Sequence, residues 1–264
     1  MEILSYILIF IIGSLFGSFY SLAIYRIPIK QSIMHGRSYC PNCNHKLGFF
    51  DLIPIFSYIF LGGKCRYCEQ KIRKRYILLE ISTGLVFVAF LMSLNLNIPY
   101  VKPYEILYLV FGILCISVLY IIGGIEKEKH YISNSTLLVG VLFQFVHIIY
   151  LYMLNVNVYK YVIYLFFMLI CILVNTIFLK KKARRSYTAE ILTLCFYIAT
   201  FVREELIIIS IILTLFLIAI KINIISKKDN KENILINKNN ANIPIGFYLC
   251  FTNIIMLVIQ NFIF

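Results

Sequence analysis

The chain has 264 residues, of which 61% are hydrophobic, 16% aromatic and only 14% charged. Soluble domains carry about 45–50% apolar and about 25% charged residues, so an ordinary soluble globule is excluded. The formal charge of +13, from 25 Lys and Arg against 12 Asp and Glu, would suggest nucleic acid in a soluble protein, but in a membrane protein it acts as a topology signal.

Apolar runs fall at 3–25, 77–94, 104–125, 132–152, 158–179, 187–202, 206–225 and 244–264, each bounded by polar or charged residues. A bilayer span takes about 20 predominantly apolar residues. The pattern therefore predicts an all-α polytopic membrane protein with about eight transmembrane helices. The first run has no basic residues ahead of it and no Ala-x-Ala pattern behind it, so it reads as a retained helix and not as a cleaved secretory signal. The 187–202 run is short and holds Glu190 near its start, so spanning would need packing or tilt.

With the first helix running from outside to inside, segments 26–76, 126–131, 180–186 and 221–243 face the cytoplasm and together hold 22 of the 25 Lys and Arg. Lys102, Lys160 and Arg203 remain on the other side. The positive-inside rule selects this orientation, with both termini outside and the 26–76 loop cytoplasmic in the plasma (inner) membrane. The basic surplus is then explained without nucleic acid, and the basic loops are suited to anionic membrane lipids. Lys227 to Asn242, rich in Lys and Asn, reads as a flexible connection. The expected division is an N-terminal region, 1–94, with two membrane helices and the long loop, and a helical membrane domain, 95–264.

The long loop contains Cys40-Pro41-Asn42-Cys43 and, after 21 residues, Cys65-Arg66-Tyr67-Cys68. Two C-x2-C knuckles at this spacing resemble a zinc ribbon, in which four thiolates complete a tetrahedron around a structural Zn²⁺. Two disulfides are the alternative, and a loop in the reducing cytoplasm favours the metal. Arg66, Lys64, Lys71 and Arg73 lie close enough in sequence to offset the charge of such a centre. Cys115, Cys171, Cys195 and Cys250 sit in apolar runs and read as packing residues, and His35 and His45 as surface residues.

Around these knuckles run Gly17-Ser18-Phe19, Tyr25-Arg26-Ile27-Pro28, Asp51-Leu52-Ile53-Pro54, Ser57-Tyr58, Arg75-Tyr76 and Glu80. This order resembles the type IV prepilin peptidase/N-methyltransferase family across residues 13–80, and Ile243-Pro244-Ile245-Gly246-Phe247 resembles the start of the family's last helix. The resemblance implies a bilayer-embedded aspartic endopeptidase that cleaves type IV pilin-like precursor proteins at the cytoplasmic face and methylates the new N-terminus, the latter drawing on S-adenosylmethionine. No residue is identified as binding that cofactor, and the sequence leaves the oligomeric state open.

An aspartic protease needs two carboxylates that share a proton and a water. The family supplies two Asp residues at the cytoplasmic ends of different helices, the second in Gly-x-Gly-Asp-x-Lys. Counting back from Ile132-Ser133-Asn134, the first position is Glu126. In the second segment, Ser186 to Leu192, glycines are missing, and an ungapped register puts Thr188 on the Asp and Glu190 on the Lys. A shift of two residues, which needs an altered helix start, would bring Glu190 to the Asp position. Glu126 and Glu190 are then the candidate catalytic pair, both at cytoplasmic membrane boundaries, with solvated interface charge as the alternative for each. Glu80 is expected to pair with Arg73 or Arg75, Asp51 to accept backbone N–H bonds in the turn before Pro54, and His130 and His147 to cap or pack. The alternative to an enzyme is a catalytically inactive relative that binds pilin-like chains or acts as a scaffold of a secretion machinery.

Overall fold

The computed structural model describes residues 2–96, 100–177, 187–232 and 243–263. The helices are α1 (Glu2–Arg26), α2 (Phe56–Phe60), α3 (Arg75–Ser93), α4 (Pro103–Lys129), α5 (Asn134–Met153), α6 (Tyr159–Ile177), α7 (Tyr187–Ala199), α8 (Glu204–Glu232) and α9 (Ile245–Ile263), with a 3-10 turn at Phe49–Asp51. Among the described residues, α1, α3, α4, α5, α8 and α9 hold stretches long and apolar enough to cross a membrane, while Tyr159–Val174 and Glu190–Ala199 form shorter apolar helices. At 1.5 Å per residue, α7 reaches about 20 Å against a hydrocarbon core of about 30 Å. The protein is an all-helical, multi-pass membrane protein with its cysteine-bearing loop between α1 and α3.

Two helices run past the boundaries expected from hydropathy. In α4 the Glu126-Lys127-Glu128-Lys129 stretch is helical, because these residues are good helix formers and the two lysines favour the negative end of the helix dipole. His130, at φ 54°, closes the helix by donating its N–H to the Glu126 carbonyl at 2.8 Å. The expected 126–131 loop is thereby reduced to 130–133. Similarly, α8 continues to Glu232, so the first part of the Lys227 to Asn242 segment is helical and not a flexible connection. Residues 233–242 and the Lys180 to Arg185 run lie outside the described residues.

The chain forms two compact units, Met1–Ile113 and Leu114–Phe264. In the first, α1 and α3 pack through Gly13 and Gly17. A Cβ on Gly13 would stand 2.8 Å from the Gly84 Cα, and one on Gly17 would strike the Thr83 hydroxyl and lie 2.7 Å from the Glu80 Cα. Small residues four apart let two membrane helices approach to backbone contact. Gly17→Val is therefore expected to destabilise the protein by about 1–3 kcal/mol or more, because the obstructing atoms belong to the backbone. Leu15→Val, on the exposed face of α1, should leave thermal unfolding in detergent nearly unchanged.

In the second unit α7 packs on α5, α6 and α9. Its buried residues Glu190, Thr193, Leu194, Tyr197 and Ile198 recur at helical spacing, so Glu190 heads the inward stripe. Opposite, α5 buries Gly140, Gln144 and His147. Gly140 gives the Tyr197 ring its room, since a Cβ there would lie 3.1 Å from that ring. His147 packs flat on Phe201 at 4.8 Å between ring centroids, the packing role expected of it.

Candidate functional site: a thiol cluster and two buried acids

The two knuckles are built alike. In the first, the Cys40 N–H donates to the His45 carbonyl and the Asn44 N–H to the Cys40 carbonyl; in the second, Cys65 donates to Gln70 and Glu69 to Cys65. Asn44 and Glu69 occupy the same left-handed conformation, φ 57° and 56°, and each knuckle is closed by one antiparallel bridge, Tyr39 to Lys46 and Lys64 to Lys71. Each half thus turns its two cysteines toward the other half. The four sulfurs of Cys40, Cys43, Cys65 and Cys68 all lie within 4.8 Å of one another, with Cys40 and Cys68 at 3.9 Å. The edge of a tetrahedron with zinc–sulfur bonds of about 2.3 Å is about 3.8 Å, so the cluster fits a metal ion of that kind. Burial pushes the Cys40 thiol up, but backbone N–H groups of Cys43 and Asn42 and the neighbouring thiols outweigh it and leave it at about 7. At Cys68 the Gln70 backbone N–H acts downward, but burial and the three other sulfurs raise the thiol to about 12. Four thiols in one place compete for protons in this way.

Asp51 joins the halves. Its carboxylate accepts the Gly48 N–H at 3.0 Å, the Tyr67 hydroxyl at 3.2 Å and the Arg66 Nε at 2.8 Å, while Tyr67 stacks on His45 of the first knuckle at 3.6 Å. The backbone bond is the kind expected from the sequence. The further grip on Arg66 means that this guanidinium is engaged by a carboxylate beside the cluster. Asp51→Ala is expected to weaken metal binding about 10–100-fold, as losses of groups that orient ligands generally do; competition with a chromogenic chelator measures it.

Glu80 accepts the Ile55 N–H at 2.7 Å and a hydrogen bond from Ser18, so the contacts shown for this carboxylate tie the loop to α1 and α3, where an arginine partner was expected. Arg26 is buried at the end of α1 and donates to the carbonyls of Ser32, His35 and Arg37. It thereby organises the approach to the first knuckle, a role that only its position at a helix end before Pro28 hints at.

In the second unit Glu126 and Glu190 are both fully buried, at 0% and 1% exposure, against the solvated reading of each. Lys127 and Lys129, its neighbours in α4, are exposed, so burial selects Glu126 alone. Its Oε1 accepts the Gly246 N–H at 3.0 Å, and Phe247 contributes a second backbone N–H. These donors belong to the first turn of α9, where backbone N–H groups lack intrahelical partners and the helix dipole favours an anion. Gly246 is needed there, because a Cβ would run into the Glu126 carboxylate. The other oxygen, Oε2, has no hydrogen-bond partner among the described residues. Glu190 is near enough for its charge to act on Glu126. The two acids thus come from α4 and α7, and α9 supplies the donors. The α9 donors were not foreseen as part of the site, although Pro244 and Gly246 mark the helix start. The side chain of Thr188 lies outside the described residues.

Residues 11–94 match the family model described as the bacterial peptidase A24 N-terminal domain. Similar curated proteins are the prepilin leader peptidase/N-methyltransferases of Myxococcus xanthus, 42% identical over 83 residues covering 31% of this chain and 25% of that protein, and of Vibrio cholerae, 39% identical over 90 residues covering 31% and 36%. That of Klebsiella pneumoniae is 30% identical over 133 residues covering 48% and 54%. The chain thus spans between a quarter and about half the length of these relatives, and no solved structure matches it significantly. Residues 11–94, knuckles included, thus carry the bacterial peptidase A24 N-terminal domain, and over this region the chain is similar to the prepilin leader peptidase/N-methyltransferases.

Proposed function

We propose that the protein is an intramembrane endopeptidase of the prepilin-peptidase kind, with Glu126 and Glu190 as its acid pair and pilin-like precursors as substrates. The observation that carries the reading is the burial of two carboxylates from separate helices within reach of each other's charge. Two like charges in an apolar site favour one shared proton. Glu126, held by two backbone N–H groups, is suited to be the ionised member that takes a proton from the attacking water through Oε2. Glu190 then keeps the proton and polarises the scissile carbonyl.

The basic loops support placing the thiol cluster and the acid pair on the cytoplasmic side and the termini outside. The cluster's ion is zinc in this reading, serving structure only. Methylation of the new N-terminus with S-adenosylmethionine rests on the relatives' names, with no binding residue assigned.

Co-expression of a pilin precursor with the wild type, Glu126→Gln and Glu190→Gln tests the proposal by leader-peptide removal on immunoblots. Processing by the wild type and its loss in Glu126→Gln are expected. Since Gln resembles a protonated acid, Glu190→Gln should lose less. No processing by any of the three would favour the scaffold reading, to which the absence of Gly-x-Gly before Glu190 lends support.

A further inference from the structure

The segment between the knuckles carries a run of large apolar side chains that the first unit leaves uncovered. Phe49, Phe50, Phe56, Ile59 and Phe60 are 60–84% exposed, although none belongs to a membrane-spanning helix. Phe49 and Phe50 meet edge to face at 5.8 Å, and Phe56 and Phe60 lie nearly parallel along α2 at 6.5 Å. An aromatic surface of this kind on a water-facing loop would be an aggregation hazard.

Its depth is fixed by one hydrogen bond. Ile55, directly before α2, donates its N–H to Glu80, and Glu80 lies five residues inside α3, about 7.5 Å along the helix axis from Arg75. Ile55 is the centre of a γ-turn with positive φ, φ 64° and ψ −54°, closed by the Phe56 N–H on the Pro54 carbonyl at 2.7 Å, a rare geometry that is strained for a β-branched residue and persists only where its surroundings enforce it. The loop therefore folds back beside the first turns of α3 and does not stand away from them. Interfacial helices sit about 5–10 Å into the boundary between headgroups and acyl chains. The surrounding charge is of the matching sign: residues 26–76 hold ten Lys and Arg against Asp51 and Glu69 alone, and lipid phosphates are anionic.

We propose that the Phe49 to Phe60 ridge is an interfacial anchor, with its aromatic side chains embedded in the adjoining leaflet at the headgroup–acyl boundary and the flanking Lys and Arg on lipid phosphates. Aromatic rings are suited to that zone, and the basic residues add attraction to an anionic leaflet. The thiol cluster is thereby held against the bilayer surface. The inference is independent of the proposed peptidase activity.

The chain has no Trp, so Phe60→Trp and Phe56→Trp each create a single fluorophore at an exposed aromatic position. The full chain is reconstituted in nanodiscs of phosphatidylglycerol and phosphatidylcholine whose acyl chains carry bromine either near the carbonyl or at mid-chain. Leu85→Trp, on the exposed face of α3, provides the deep reference. Both ridge variants are expected to be quenched more by shallow than by deep bromine, with the order reversed for Leu85→Trp, and to be shielded from acrylamide. Quenching by acrylamide with no response to bromine would place the ridge in water and overturn the proposal. Protection from both quenchers would overturn it too, since a second copy or another protein would then cover the ridge.

Discussion

Glu126→Gln is expected to lower leader cleavage by about two to four orders of magnitude, the usual worth of a positioned acid or base, while the protein still accumulates in the membrane. The amide oxygen of Gln can still accept the Gly246 N–H that now reaches Oε1, so the link between α4 and α9 survives. What is lost is the negative charge, without which Oε2 cannot take a proton from water as the proposed mechanism requires. Thermal unfolding in detergent separates the two effects: a melting temperature close to wild type with cleavage abolished identifies a chemical defect. Gly246→Val provides the converse case. Its side chain would collide with the Glu126 carboxylate, so both folding and cleavage should suffer. Full cleavage by Glu126→Gln would remove this acid from the mechanism.

The second large effect is expected at the thiol cluster. With zinc as the proposed ion, the wild type is expected to hold one per chain and Cys65→Ser none, as measured by elemental analysis of the purified proteins, and the variant should be less abundant. Structural zinc contributes about 10–16 kcal/mol of apparent binding free energy in small domains, more than the short turns and two isolated bridges of this loop replace. The pH dependence has a definite sign. The metal binds thiolates, so each thiol's proton is lost on binding and affinity falls as pH falls, by about tenfold per pH unit for each proton displaced. Cys68, pushed up to about 12, carries its proton at neutral pH in the metal-free form and contributes to this release. Zinc retention that does not vary between mildly acidic and neutral pH would contradict a four-thiolate site.

The helices are largely legible in the sequence because apolar runs of membrane length leave few alternatives, and the segments read from hydropathy coincide with α1 and α3 to α9 to within a few residues at most ends. The exceptions have a common origin. Hydropathy stops at the first charge, whereas helix propensity continues, so Glu126 to Lys129 and the end of α8 look like loop in one measure and are helix in the other. The two knuckles were visible from spacing alone, because a C-x2-C turn is a local arrangement. Their closure by Asp51, Arg66 and Tyr67 was visible only in part, since it depends on how two distant turns face each other. The same holds for Glu126. Nothing within its own helix distinguishes it from Glu128, and its burial is set by a helix that follows more than a hundred residues later in the chain.

That last dependence has a consequence for biosynthesis. The backbone groups that steady Glu126 come from α9, the final helix described, so a ribosome that has delivered everything through α8 has made a chain whose first acid still lacks its support. Under the proposed mechanism hydrolytic competence would await the insertion of α9, and cutting of neighbouring chains before that point would be avoided without a separate inhibitor.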